Sequence, residues 1–569
     1  MSDPRQHARL QVQRAPGDAI AWVMLAEAEL DAGDAIAGER AAQHALALAP
    51  GHPEALARLG RAQSLQGRSE EAVDTLLRAA AAAPGHPGIA VWLGHALEDV
   101  RRVEDAAQAF AHAQRLLPDE PMVAGYLLAA RRRLCDWRDV DALSAQVRDA
   151  VRRRQAAVEP FAFLSEDATP AEQLQCARLR AAMIASSVRP MPPVERGSRD
   201  GEPIRLGFLS NGFGAHPTGL LTAAFLEALA GVAGVEAHLF ALNPDDGSPI
   251  RRRLAAATRM HDVALRPHRV VADAIRHARI DVLYDLRGWG GGGAPEVLAM
   301  RPAPVQVNWL AYPGTSGAPW IDHVLADGVV LPPGLAPHFS ERVIRMPHAF
   351  QPSDTRRALD PPPSRVDCGL PDTGVVFCCF NNSYKLNPRS TGRMFEVLRA
   401  VEGSVLWLLS GPGAADERLR AQAVAAGIEP TRLVFMPKQP HADYLARLQL
   451  ADLFLDTNPY NAHTTASDAL WAGCPVVTCP GDTFAARVAA SLLTALGLGD
   501  LIARDDADFV RIATALGRDA DARARLTSRL AVARERSPLF DMPRFADDFA
   551  TLARGMALAW REGRDFDPA

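Results

Sequence analysis

The sequence predicts an α + α/β chain, in which a helical repeat array leads into two doubly wound α/β halves. Three observations predict it. Proline-led turns recur near the N-terminus at Pro16, Pro50, Pro84 and Pro118, each 34 residues from the last. From about residue 204, strand-like apolar runs alternate with helix patterns, the signature of a parallel sheet covered by helices. That alternation pauses at Pro361-Pro362-Pro363 and then begins again.

The bulk numbers fit such a chain. Its 569 residues are 48% hydrophobic and 23% charged, enough for about three or four domains with large cores. A net charge of -5 argues against a nucleic-acid partner. Seven cysteines without a CxxC pair read as reduced thiols, which suits the cytoplasm. No apolar signal core follows the stretch from Met1 to His7, and the most apolar helical run, residues 220–235, is interrupted by Glu227. No membrane partner is expected.

Within the repeats, other columns keep the period. Trp22, Leu56 and Ala90 align, as do Leu25, Leu59 and Leu93, and Ala45, Ala79 and Ala113. Small residues let two helices approach, large ones fill the space between them, and the prolines end each second helix. The pattern resembles the tetratricopeptide repeat, with about three copies over residues 18–118. Such an array either offers a concave groove for polypeptide or buttresses the next domain. Residues 1–120 are read as repeats and 121–198 as a helical connector. The connector carries Arg131-Arg132-Arg133, read as a solvated helix face, and ends in a linker around Pro190, Pro192 and Pro193.

Residues 199–360 form the first α/β half. Strands are expected at 204–210, 237–242, 280–286 and 305–310. The first leads through a glycine-rich turn holding His216 into a helix over 220–229. Residues 361–569 form the second half, with strands at 375–380, 404–409, 433–436, 453–456 and 475–478, a helix over 484–493, and C-terminal helices. Ligands of such halves bind at the C-terminal ends of the strands, in the cleft between them. No GxGxxG opens a helix after the first strand, which disfavours a nicotinamide or flavin dinucleotide.

The stretch from Asn461 to Gly473 holds the most chemistry. His463, Thr464 and Thr465 stand where a loop enters a helix, and a helix start offers free N–H groups and positive potential to a phosphate. Asp468, one turn on, can accept from ribose hydroxyls. On these residues alone a capped helix start is the favoured reading.

Several stretches together resemble the protein O-GlcNAc transferase family, which implies a GT-B glycosyltransferase fold of two Rossmann-like domains. They are His216-Pro217-Thr218, the run from Arg301 to Gln306 with Tyr312 to Gly317, Tyr384-Lys385, Gln449 to Asp452, His463 to Gly473, and Arg487 to Ser491. The order of parts looks like a bacterial member. The resemblance implies a catalytic set of His216 and Lys385, with Asp285 a weaker base. Lys385 would neutralise the diphosphate of UDP-GlcNAc as the glycosidic bond breaks. His463, Thr464 and Thr465 would hold the phosphates and Asp468 the ribose. Gln439, His441, Tyr444 and Arg447 would line the nucleoside end, and Asn382, Tyr384, Pro313 and Gly314 the phosphates and sugar. Tyr444 stands where animal members carry a stacking histidine, Asn382 replaces a glutamine, and His441 falls at a lysine position. The loop from Leu286 to Gly293 is unlike the family's usual one. No metal is implied and no cofactor beyond the nucleotide-sugar. The implied activity is inverting transfer of GlcNAc to Ser or Thr of a polypeptide that the repeats could guide. A different donor (GDP-fucose or UDP-glucose), an Asn acceptor, or a decayed nucleotide-binding scaffold are the alternatives.

Overall fold

The computed structural model describes residues 4–196 and 201–566. Met1 to Asp3 of the N-terminal stretch, residues 197–200 of the expected linker and residues 567–569 lie outside the described residues.

After a first helix, Pro4–Arg14, three antiparallel pairs follow: Ala19–Asp31 with Ala35–Leu48, Pro53–Leu65 with Ser69–Ala82, and Pro87–Asp99 with Val103–Leu116. Proline opens the first turn of each later pair, where its missing N–H costs nothing. Complementary sizes close the pairs. A Cβ on Gly60 would lie 2.6 Å from Leu76 Cγ. The 34-residue register runs on into a fourth pair, Pro121–Arg133 with Val140–Arg152, which the sequence reading assigned to the connector. The arginine run there is also different from expectation. Arg132 is buried, and its guanidinium forms two 3.0 Å bonds to Glu166. A buried cation needs such a partner, so this residue ties the last repeat to the connector rather than facing solvent.

The first half is a seven-stranded parallel sheet of β1 (Ile204–Ser210), β2 (Val235–Ala241), β3 (Arg259–Asp262), β4 (Val282–Asp285), β5 (Val305–Asn308), β6 (His323–Asp327) and β7 (Arg342–Met346). Their spatial order is β3-β2-β1-β4-β5-β6-β7. Strands β3, β6 and β7 escaped the sequence reading. β3 and β7 are edge strands with partly exposed polar residues, so neither shows an apolar run.

The second half is a five-stranded parallel sheet of β8 (Val376–Cys379), β9 (Val405–Leu409), β10 (Leu433–Met436), β11 (Leu453–Leu455) and β12 (Val476–Val477), in the order β10-β9-β8-β11-β12. The helix expected over 484–493 is broken into a single turn, Phe484–Ala486, and a helix, Val488–Ala495. Arg487 sits at the break and donates to Val329 O at 2.7 Å and Gly481 O at 3.0 Å, which pins the break to the first half. The last helix, Met542–Arg561, does not stay with the second half. Phe545 and Phe549 pack among Phe208, Phe225, Tyr284 and Trp309 of the first sheet. All seven cysteines are free thiols, six of them buried. No helix among the described residues is long and apolar enough to cross a membrane.

Candidate active site

The C-terminal ends of the two sets of strands face a common cleft. On the first side, β1 ends in a turn that only glycine permits. A Cβ on Gly212 would meet His216 Nδ1 at 2.5 Å. His216 then caps the helix Pro217–Leu229, its Nδ1 accepting from Thr218 N–H at 3.2 Å. That bond leaves the ring proton on Nε2, where the neutral ring can only donate. Burial and the positive charges of Arg287 and Lys438 push the imidazole down to about 4, so this neutral form prevails at ordinary pH. Asp285 ends β4 and is buried. Its Oδ1 accepts from the N–H groups of Arg287 (2.9 Å) and Gly288 (3.0 Å). Burial raises its pKa, while those bonds oppose the shift. It holds the glycine loop in shape, a structural use that competes with the base role expected of it. Pro313 and Gly314 are buried in the turn after β5, where Gly314 O accepts from Asn308 Nδ2 at 2.8 Å.

On the second side, a single turn, Ser383–Lys385, follows β8. Lys385 is buried. Its Nζ donates to Asn461 O at 2.7 Å and stands 3.9 Å from the centre of the Tyr460 ring. Burial pushes the ammonium down to about 7, against the pull of Asp456 and Cys379. Asp456 shapes the loop from β11. It accepts from Thr457 N at 2.7 Å, Ala462 N at 2.6 Å and Thr478 Oγ1 at 2.7 Å. The helix Thr464–Ala472 then begins without any side-chain cap, so its positive end stays open to an anion. This removes the capped-helix alternative.

Some expected donors are already engaged. His463 Nε2 lies 3.1 Å from Ala485 O. A carbonyl only accepts, so Nε2 carries the proton and Nδ1 has none to give in the neutral ring. Burial holds that ring far below the usual histidine range. Thr465 Oγ1 donates to Asn381 Oδ1 at 2.6 Å, whereas Thr464 is partly exposed at the helix start. Asp468 Oδ1 is paired with Arg357 and lies 3.3 Å from His441 Nε2. Its expected ribose contact must therefore share or displace these partners.

Tyr384 and Asn382 share the Lys385 turn, with the Tyr384 ring 5.9 Å from that of Tyr460. Tyr444 packs 6.1 Å from the His441 ring, and its hydroxyl is buried without a hydrogen-bond partner. Arg447 returns to its own helix at Asp443 O (3.3 Å), and Gln439 Nε2 donates to Pro437 O at 3.2 Å. Sequence reasoning missed Tyr460, Arg357 and Arg287. Tyr460 stands one residue outside the stretch singled out, and Arg357 lies 111 residues before its partner Asp468.

The repeats reach this cleft. Ser383, two residues before Lys385, donates to Arg133 O at 2.6 Å. A cavity of about 410 Å³ lies between the helix Pro121–Arg133, the connector and the glycine loop Gly288–Gly293.

Glycosyl transferase family 41 matches residues 180–361 and 362–549, and a tetratricopeptide repeat matches residues 29–85. A probable UDP-N-acetylglucosamine–peptide N-acetylglucosaminyltransferase of Arabidopsis thaliana is 33% identical over 441 residues, 74% of this chain and 45% of the relative. A UDP-N-acetylglucosamine–peptide N-acetylglucosaminyltransferase of Caenorhabditis elegans is 28% identical, covering 76% of this chain and 49% of its own. The chain thus spans about half the length of these curated relatives. The structure of a mutant Thermobaculum terrenum O-GlcNAc transferase superposes with a TM-score of 0.70 at 26% identity, over 99% of this chain and 100% of the other. By these matches and by its paired parallel sheets behind a repeat array, the chain belongs to glycosyl transferase family 41.

Proposed function

We propose that this chain is an inverting glycosyltransferase that moves GlcNAc from UDP-GlcNAc to Ser or Thr hydroxyls of polypeptides. One observation carries the reading: the uncapped helix start at Thr464 and the buried Lys385 ammonium converge on one loop, through Asn461 O. That pairing suits a diphosphate, which is also the group that must leave. As the acceptor oxygen bonds to the anomeric carbon, the bond from that carbon to the phosphate oxygen breaks, the electron pair departs with UDP, and the hydroxyl proton passes to the departing phosphate or to water. A fixed cation and helix-end N–H groups stabilise that growing charge more than the ground state. We assign the phosphates to Lys385, Thr464 and the helix N-terminus. Asp468 takes the ribose with His441, Tyr444 and Arg447 at the base, and Asn382, Tyr384, Pro313 and Gly314 border the sugar. His216 donates from Nε2 and orients the incoming group. Protonation at Nδ1 would break its bond to Thr218, so we do not assign it the base role. The repeats supply the polypeptide side, and the free thiols suit the cytoplasm.

Calorimetric titration with UDP, UDP-GlcNAc, UDP-glucose and GDP-fucose tests the donor. Binding of UDP and preference for UDP-GlcNAc are expected, and absence of UDP affinity would sink the proposal. Labelled donor with a protein lysate tests transfer. Labelling by Lys385→Ala equal to that of the unaltered chain would contradict the role given to the lysine.

A further inference from the structure

The connection between the two halves runs from β7 to β8, and one arginine on it reaches the helix Thr464–Ala472. Arg357 Nη1 pairs with Asp468 Oδ1, and the two side chains are only 3% and 5% exposed. Further contacts fix the guanidinium. Its Nε donates to Asp354 O at 2.7 Å, and its carbon lies 5.3 Å from the centre of the Trp471 ring. The Arg357 carbonyl accepts from Trp471 Nε1 at 3.2 Å. Ser353 Oγ lies 2.6 Å from the Oγ of Ser467, the residue before Asp468. The same segment is held by the first half. Asp354 accepts from both terminal nitrogens of Arg253, at 2.7 and 3.0 Å. Arg253 in turn holds Glu227 of the helix Pro217–Leu229 at 2.8 and 2.9 Å. A residue tethered to the first half thus sets a carboxylate of the second.

The partners of Asp468 crowd one oxygen. Arg357 and His441 both approach Oδ1, and among the described residues no hydrogen bond engages Oδ2. Arg357 Nη2 is buried and has no hydrogen-bond partner. A buried ion pair adds little stability, because desolvation offsets the attraction. An unused buried N–H lowers it further. A purely structural arginine–carboxylate pair does best as a two-pronged bond that uses both oxygens. The single-pronged pair seen here instead keeps one acceptor and one donor for a ligand. Neighbouring hydroxyls, each able to donate and accept, match that set.

We propose that Arg357 is a positioning residue of the donor site: by holding Oδ1 of Asp468 it presents Oδ2 to the ribose diol and so sets a preference for ribonucleotides. The proposal rests on the UDP-sugar reading and adds how the ribose is recognised. The ribose shares the carboxylate with Arg357 and does not displace it.

The test compares UDP with 2′,3′-dideoxy-UDP by calorimetry on the full chain. The unaltered chain should bind UDP roughly 10- to 100-fold more tightly, the span for hydroxyls bonded to a carboxylate. Arg357→Met should cut that ratio to within about threefold by weakening UDP alone, with dideoxy-UDP binding held within about threefold. Arg357→Lys, a cation without the planar fork, should recover part of the ratio. Loss of the arginine strands a buried carboxylate, so thermal melts accompany each variant, and the double variant Arg357→Met with Asp468→Asn provides a second measurement with no stranded charge. Asp468→Asn alone should lower the ratio as far as Arg357→Met does, and the double variant should lower it no further, because the arginine acts through the carboxylate. An undiminished ratio in Arg357→Met, an equal loss for both nucleotides, or a further fall in the double variant overturns the positioning role. UDP binding without discrimination by the unaltered chain overturns it too, by removing the ribose from Asp468, whereas no UDP binding at all refutes the donor reading itself.

Discussion

Lys385 should take up a proton when the donor binds. In the free protein burial lowers its pKa from 10.5 to about 7, a shift of 10.5 − 7 = 3.5 that corresponds to about 5 kcal/mol against the charged form. At pH 8 such a lysine is about one-tenth charged in the empty site. A diphosphate beside it restores the ordinary value, so binding at pH 8 should draw in about 0.9 proton, and at pH 6 only about 0.1. The donor should bind about tenfold more weakly at pH 8 than at pH 6, or ~1.4 kcal/mol. The assay is calorimetry with a UDP-sugar, whose diphosphate has no proton to lose in this range, in buffers of different ionisation enthalpy. Lys385→Met should abolish the uptake. The sign for stability is fixed as well. Between pH 7 and 10.5 the unfolded chain holds the proton and the folded chain does not, so stability rises with pH across that window. Lys385→Met should consequently melt at a higher temperature than the unaltered chain at pH 7, and the advantage should shrink towards pH 10.5. Zero proton uptake at pH 8, or the same uptake in the Met variant, would refute the reasoning.

Tyr460 lends its ring to the same ammonium, and a desolvated cation–π contact is worth ~2 kcal/mol. Tyr460→Leu should weaken UDP-sugar binding at pH 7 by roughly 10- to 30-fold while Tyr460→Phe stays within about threefold, and equal binding by Leu would remove the ring from the site. Glu166→Gln strands the buried Arg132 cation, which should cost about 3–5 kcal/mol and lower the thermal midpoint; an unchanged melt would contradict the tie between repeats and connector. Gly60→Leu forces a side chain against Leu76 and should destabilise the repeats by about 1–3 kcal/mol in denaturant titrations, with UDP binding preserved.

Where the sequence was legible, the reason is local. A 34-residue period is repeated in turn prolines and small–large pairs, so the helix pairs can be read directly. Central strands such as β8 are continuous apolar runs because both faces are covered. Edge strands β3 and β7 lack that signal, since their exposed positions accept polar residues. The sequence names the candidate site residues but not which of their polar atoms are free. His463, Thr465 and Asp468 stand together at one loop and helix start, yet partners from residues 357, 381 and 485 engage their polar atoms. Those partners are distant in the chain, and no spacing rule reveals them. Arg132 failed for the same reason, because its partner lies 34 residues away.

The last helix gives the chain an unusual order of completion. Phe549 fills a space beside Phe208, 549 − 208 = 341 residues earlier in the chain. During synthesis, the first sheet emerges with that hydrophobic slot unfilled and waits for nearly all of the second half to follow. A polypeptide stopped before Met542 keeps every residue of both sheets and still lacks part of the first core. Such a product should bind hydrophobic dyes and aggregate, while a separately supplied peptide of residues 541–562 should rescue it. The helix Met542–Arg561 thus acts as the closing wedge of a domain begun long before it in the chain.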